Sequence, residues 1–100
     1  MIKLKRKPTH PGEILREDVL PELRMSTAEF ARQLRVSRQN VHKILQEKAA
    51  ISPEMALRLG TLLGNGPGIW LRMQQNYDLW ESERRVSDIL KKIKLVKLAA

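Results

Sequence analysis

The chain has 100 residues, of which 42% are hydrophobic, and a mean hydropathy of −0.40, values that suit one small globular domain and exclude a disordered composition. It contains no cysteine, which excludes disulfides and thiolate metal sites, and no apolar run approaches the roughly 18 residues of a membrane span. The net charge is +8 and the pI near 10.3, which points to a polyanionic partner or to solubility alone.

The charge is unevenly placed. Residues 1–10 carry Lys3, Lys5, Arg6 and Lys7 and no acid, and residues 84–100 carry Arg84, Arg85, Lys91, Lys92, Lys94 and Lys97 against Asp88 alone. A third basic block spans residues 26–48. No apolar segment follows the N-terminal charges, so a cytoplasmic protein is expected and no membrane partner.

Helical spacing dominates, and the expected fold class is all-α, with five helices and a sixth at the C-terminus. His10-Pro-Gly-Glu13 opens the first at Pro11, with Ile14, Leu15, Val19 and Leu23 on its apolar face; Pro21 is expected to end or bend it near Leu20. Ser26-Thr-Ala-Glu29 is a capping box for the second, whose buried side is Phe30, Ala31 and Leu34. Ser37 caps the third, with Val41, Ile44 and Leu45 inward. Ser52-Pro53 starts the fourth and Gly64 stops it. After the Asn65-Gly-Pro-Gly68 turn, Trp70, Met73, Tyr77 and Trp80 form a heptad-like seam on the fifth. Val86, Ile89, Leu90, Ile93 and Val96 line one side of a Lys-rich segment that is expected to dock on its own domain, a second protomer or another protein. The expected organisation is a basic arm over 1–10, a helical domain over 11–84 and a basic amphipathic extension over 85–100.

The informative window is residues 27–46, TAEFARQLRVSRQNVHKILQ. Its apolar residues are all used in holding one short helix at an angle to the next, with Ala31 at the close crossing and Val36 plugging the turn. The residues left over suit a major groove. Arg38 can make a paired contact with guanine, and Gln39 or Asn40 with adenine, while Ser37 opens the helix. Ser26, Thr27 and the amides beside them suit a phosphate oxygen, and Lys43 and Lys48 can neutralise flanking phosphates. The competing reading is a solvated helical hairpin.

This window resembles the helix-turn-helix of the phage-repressor-like (Xre) superfamily, and the wider chain resembles the HigA antitoxins. The resemblance spans residues 9–83. It rests on HPGEILREDVLPEL ahead of the motif, FARQLRVSRQNVHKIL within it, and ISPEMALRLG and IWLRMQQNYDLW after it. It implies a compact five-helix lambda-repressor-like domain, repression of the protein's own operon, and neutralisation of a HigB-like toxin, a ribosome-dependent mRNA endonuclease of RelE-like fold. The family often has Gly where Arg35 stands, at a left-handed turn where another residue costs about 1 kcal/mol. Its Gly after the recognition helix is likewise replaced, around Glu47.

One motif reads only a few base pairs, so a homodimer on two half-sites about 34 Å apart is expected. Other chemistries find little support. His10 and His42 lack the partners of a metal site, so no metal and no cofactor are expected, and His10 is expected to cap the first helix. No nucleophile or paired acids suggest an enzyme. Trp70, Tyr77 and Trp80 have the spacing of core or interface rather than of base stacking. The basic arm suits a minor groove or mere solubility. Three functions compete with the antitoxin: a stand-alone phage-type repressor without a toxin, a protein-interaction module that no longer reads DNA, and an RNA binder.

Overall fold

In the computed structural model, which describes residues 6–98, the chain enters the fold at His10. The His10 ring is buried, and its Nδ1 accepts a hydrogen bond from the Gly12 amide at 2.9 Å, the cap expected of it. Lys3 and Lys5 of the basic arm lie outside the described residues.

Helix α1 is one continuous rod in three parts: α-helical at Pro11–Ile14, π-helical at Leu15–Val19, and α-helical again at Leu20–Leu23. The expected end near Leu20 is therefore corrected to Leu23. In a regular helix Pro21 would lack its N–H and press on the carbonyl four residues back. The wider register, in which the Leu20 amide donates to the Leu15 carbonyl, relieves that conflict and lets the helix continue. It closes at Arg24, whose φ of 55° is left-handed.

Three serines then start three helices. Ser26 Oγ accepts from the Glu29 amide ahead of α2 (Thr27–Leu34), Ser37 Oγ from the Asn40 amide ahead of α3 (Arg38–Leu45), and Ser52 Oγ from the Met55 amide ahead of α4 (Pro53–Leu63), each at 3.1 Å. Removing such a cap typically costs about 1 kcal/mol. The long α5 (Gly68–Arg85) and short α6 (Ser87–Lys92) complete the fold. Among the described residues every regular element is helical, so the all-α, six-helix expectation holds.

The core lies where α1 to α5 converge. Phe30, Ala56 and Leu59 are fully buried, with Leu15, Val41 and Trp70 nearly so. Side chains of Leu or Phe size contribute about 1.5–3 kcal/mol each on full burial. One buried polar group is satisfied on both sides: Gln74 Oε1 accepts from the Ile51 amide at 2.9 Å, and its Nε2 donates to Asp78 Oδ1 at 3.0 Å. That tie fixes the loop between α3 and α4 to the middle of α5.

The aromatic seam of α5 packs largely on its own chain. Trp70 donates to Asn65 Oδ1 at 3.2 Å, and Tyr77 meets the His10 ring edge-on with centroids 4.8 Å apart. Trp80 lies beneath the Lys7 ammonium and the Arg84 guanidinium. The C-terminal stripe behaves differently. No residue of α6 is buried, Ile93 is extended, and residues 93–98 are exposed outside any helix. It does not dock on its own domain.

Two predictions follow from the packing. A Cβ at Gly60 would run into the backbone of Gly66, because the turn folds back onto α4 there. Gly60→Ala is expected to cost about 1–3 kcal/mol in urea unfolding; an unchanged midpoint would mean the turn can withdraw. The second concerns pH. Burial pushes the His10 imidazole below its ordinary 6.5, against the opposing pull of the Glu47 and Asp78 carboxylates. The unfolded chain thus takes up the proton first. The stability that His10 contributes is complete above about pH 6.5 and is lost as pH falls toward the lower, folded value. His10→Asn keeps a capping side chain and is expected to flatten the slope of unfolding free energy between pH 7 and 5. An equally steep slope in that variant would move the effect elsewhere.

Candidate nucleic-acid interface

The site is built on α2, its turn and α3. The turn closes at Arg35, which sits at φ 60° and ψ 44°, while the Val36 amide donates to the Ala31 carbonyl at 3.0 Å. The left-handed turn expected at this position is thus formed by arginine. Glu47, after α3, is left-handed too, with φ 62°. Ala31, Leu34, Val41, Ile44 and Leu45 are buried, and Val36 packs against them. With these facing inward, Arg38, Gln39, Asn40, His42 and Lys43 are exposed together along α3.

Three contacts from outside the motif fix the pair of helices. Arg16 Nη1 donates to the Leu45 carbonyl at 2.6 Å and to Glu47 Oε2 at 3.3 Å, which places a cation at the negative end of α3. Arg58 Nη1 does the same for α2, reaching the carbonyls of Leu34 at 2.7 Å and Arg35 at 3.2 Å. Gly12 lies so close to the Ile44 carbonyl that a Cβ there would overlap it. The angle between α2 and α3 is therefore set by contacts from α1 on the end of α3 and from α4 on the end of α2, as well as by their apolar faces.

These three residues were missed in the sequence. A remote arginine that caps a helix end leaves no local pattern. Gly12 did carry a signal, because a glycine inside a helical turn marks a close approach.

The structure places each expected site residue as follows. Arg38, Gln39, Asn40 and Lys43 come together on α3. Ser26 is exposed and Thr27 half-buried at the start of α2. The Ser26 and Ser37 oxygens are engaged as caps, yet each hydroxyl keeps its own proton to donate. Lys48 is exposed in the turn beyond α3, where its amide donates to the Lys43 carbonyl at 2.9 Å. Among the described residues no acid pairs with Arg38, Lys43 or Lys48, and the nearby Glu47 is held by Arg16. Guanidinium, amide and ammonium groups on one helix can bind base edges and phosphates together. Among the described residues no group of His, Asp and Glu is arranged to hold a metal, and no helix is long and apolar enough to cross a membrane.

No family model matches the chain. Relatives do. The Escherichia coli helix-turn-helix transcriptional regulator YddM is 40% identical over 76 residues, covering 76% of this chain and 80% of the relative. Antitoxin HigA-1 of Vibrio cholerae is 31% identical over 94 residues, covering 94% of this chain and 89% of the relative. Among solved structures, Pseudomonas aeruginosa antitoxin HigA with the higBA promoter superposes with a TM-score of 0.84 at 35% identity, over 91% of this chain and 99% of that one. Identity at this level over nearly the whole chain, on the same all-helical fold, makes this protein a member of the HigA-type antitoxin family within the Xre-like helix-turn-helix proteins.

Proposed function

We propose that the chain is the antitoxin of a HigBA-type pair: a cytoplasmic dimer that binds operator DNA, represses its own operon and neutralises a RelE-like mRNA endonuclease toxin. The observation that carries this reading is the exposed row Arg38, Gln39, Asn40 and Lys43 on α3, which Arg16 and Gly12 clamp, while Arg58 holds the end of the preceding α2. Arg38 takes a guanine, and Gln39 or Asn40 an adenine. Ser26, Thr27 and Ser37 take phosphate oxygens, and Lys43 and Lys48 add screening charge on either side.

In this reading residues 1–10 are a basic arm, 11–84 the DNA-binding unit and 85–100 an extension. The chain works by binding and performs no catalysis. The Pseudomonas relative bound to its promoter supports the DNA half of the proposal, and HigA-1 supports the antitoxin half. Similarity that continues well beyond the helix-turn-helix weighs against a stand-alone phage repressor.

The decisive experiment compares binding to DNA from the protein's own upstream region with binding to an unrelated duplex. A preference of about a thousandfold at physiological salt is expected. Equal, salt-sensitive binding to both would overturn operator recognition. Arg38→Ala is expected to lose about 1–3 kcal/mol at one base pair and to relax specificity there. Lys43→Ala should weaken binding to every sequence and reduce the salt slope by about one ion; a changed sequence preference with the slope intact would remove it from the phosphate role. For the toxin half, co-expression with a neighbouring RelE-like open reading frame should restore growth, and continued arrest would sink that part.

A further inference from the structure

His10 sits where three elements meet. Its side chain is buried, with the residue only 3% exposed, and Nδ1 accepts from the Gly12 amide at 2.9 Å. The His10 carbonyl accepts from the Glu13 amide at 2.9 Å, so this one residue closes the first turn of α1 with both its ring and its backbone. Gly12 then presses on the Ile44 carbonyl of α3, and one turn later Arg16 holds the Leu45 carbonyl and Glu47. The ring also meets Tyr77 of α5 edge-on.

An acceptor at Nδ1 requires the neutral imidazole, with its proton on Nε2. A second proton can go only to Nδ1, where it turns the acceptor into a donor that faces the Gly12 N–H. The cap is then lost, and two N–H groups oppose each other in a buried site.

The charge acts on the same junction. Glu47, in the turn after α3, and Asp78, on α5, attract an imidazolium, whereas the Lys7 ammonium of the arm repels it. Lys7 itself stands 5.3 Å from the centre of the Tyr77 ring and 3.4 Å from Glu81. Both attracting carboxylates already have partners: Glu47 takes Arg16 at 3.3 Å, and Asp78 takes the Gln74 amide at 3.0 Å. A charged ring therefore competes with Arg16 for Glu47 and loosens the cation held against the end of α3. Burial opposes the proton and lowers the imidazole below its ordinary 6.5, so the folded chain carries the neutral ring at neutral pH.

We infer that His10 is a proton-operated latch on the DNA-reading helix: the neutral ring keeps α1 locked against α3, and its protonation in the folded chain releases that contact and weakens operator binding. This rests on the operator recognition proposed above and adds its regulation by acid. Linkage fixes a second consequence. If the proton weakens DNA binding, DNA weakens proton binding by the same factor.

The test separates two histidines of opposite effect. His42 is exposed on the DNA-facing row of α3, where an added proton tightens binding to a polyanion. His42→Gln removes that contribution and serves as the reference chain. Its affinity for duplex from the protein's own upstream region is followed by fluorescence anisotropy between about pH 7.5 and 5 at fixed salt, with circular dichroism recorded at each point. Affinity should fall by about fivefold or more across the range, and by no more than about tenfold per pH unit, the limit for one proton. His10→Asn in the same background keeps a capping side chain and should flatten the profile, whatever its absolute affinity. By NMR, the His10 ring of the reference chain should titrate at lower pH when the duplex is saturating. A flat reference profile, one equally steep without His10, or a ring titration that DNA leaves unmoved would each overturn the latch and leave operator recognition standing. Helical signal lost in step with binding would overturn it too, since the proton would then be unfolding the chain rather than releasing α3. Equal binding to an unrelated duplex at about pH 7.5 would instead refute operator recognition, and the latch with it.

Discussion

The close approach of the Gly12 backbone to the carbonyl of Ile44 is the contact on which the architecture turns. A helix-turn-helix made only of α2 and α3 would have one small hydrophobic seam and two ragged C-terminal ends. Here the first turn of α1 is driven against the last turn of α3, and glycine is the residue that permits it. The buried His10 ring caps α1 and leans on Tyr77, so the same junction ties α3 to α5. Arg16 follows from the next turn of α1 and takes the last carbonyl of α3. A stretch of seven residues, 10–16, thus caps its own helix and supplies a close contact and a cation to an element some thirty positions away.

That economy explains what the sequence could and could not disclose. Serine caps at 26, 37 and 52 were legible because a cap is a local event, decided by a hydroxyl and an amide three residues on. The exposed row on α3 was legible because the apolar spacing assigns the inward positions and leaves the rest outside. The left-handed turns at Arg35 and Glu47 were foreseen only through glycines that the family often carries there. The π-helical stretch of α1 was not legible: Pro21 announces a disturbance, but whether the helix ends or widens depends on what packs beyond it. The arginine clamps and Gln74 act across more than twenty residues, where periodicity carries no information.

The basic side chains of the described residues differ in how their charge is held. Lys7 is 3.4 Å from Glu81 and stands over both Tyr77 and Trp80, and Arg84 covers the Trp80 ring from 3.9 Å. These cations are partly spent within the fold, and they shield an indole N–H that is buried without a partner. The cations of α3 and of the C-terminal segment are not committed in this way among the described residues. Of the +8 of the chain, the charges of Lys7 and Arg84 are therefore partly engaged within the fold, and those of α3 stand free for a polyanion.

Three helices end on left-handed residues that are not glycine: Arg24, Arg35 and Glu47. At about 1 kcal/mol each, they hold back some 3 kcal/mol from a fold whose whole margin is of the order of 5–15. A loss of that size multiplies the population of opened chains by about a hundred. Where opening is fast, proteolysis samples that population rather than the native one. Susceptibility to proteases is thus set in part at three backbone turns, well apart from the core that defines the protein's shape.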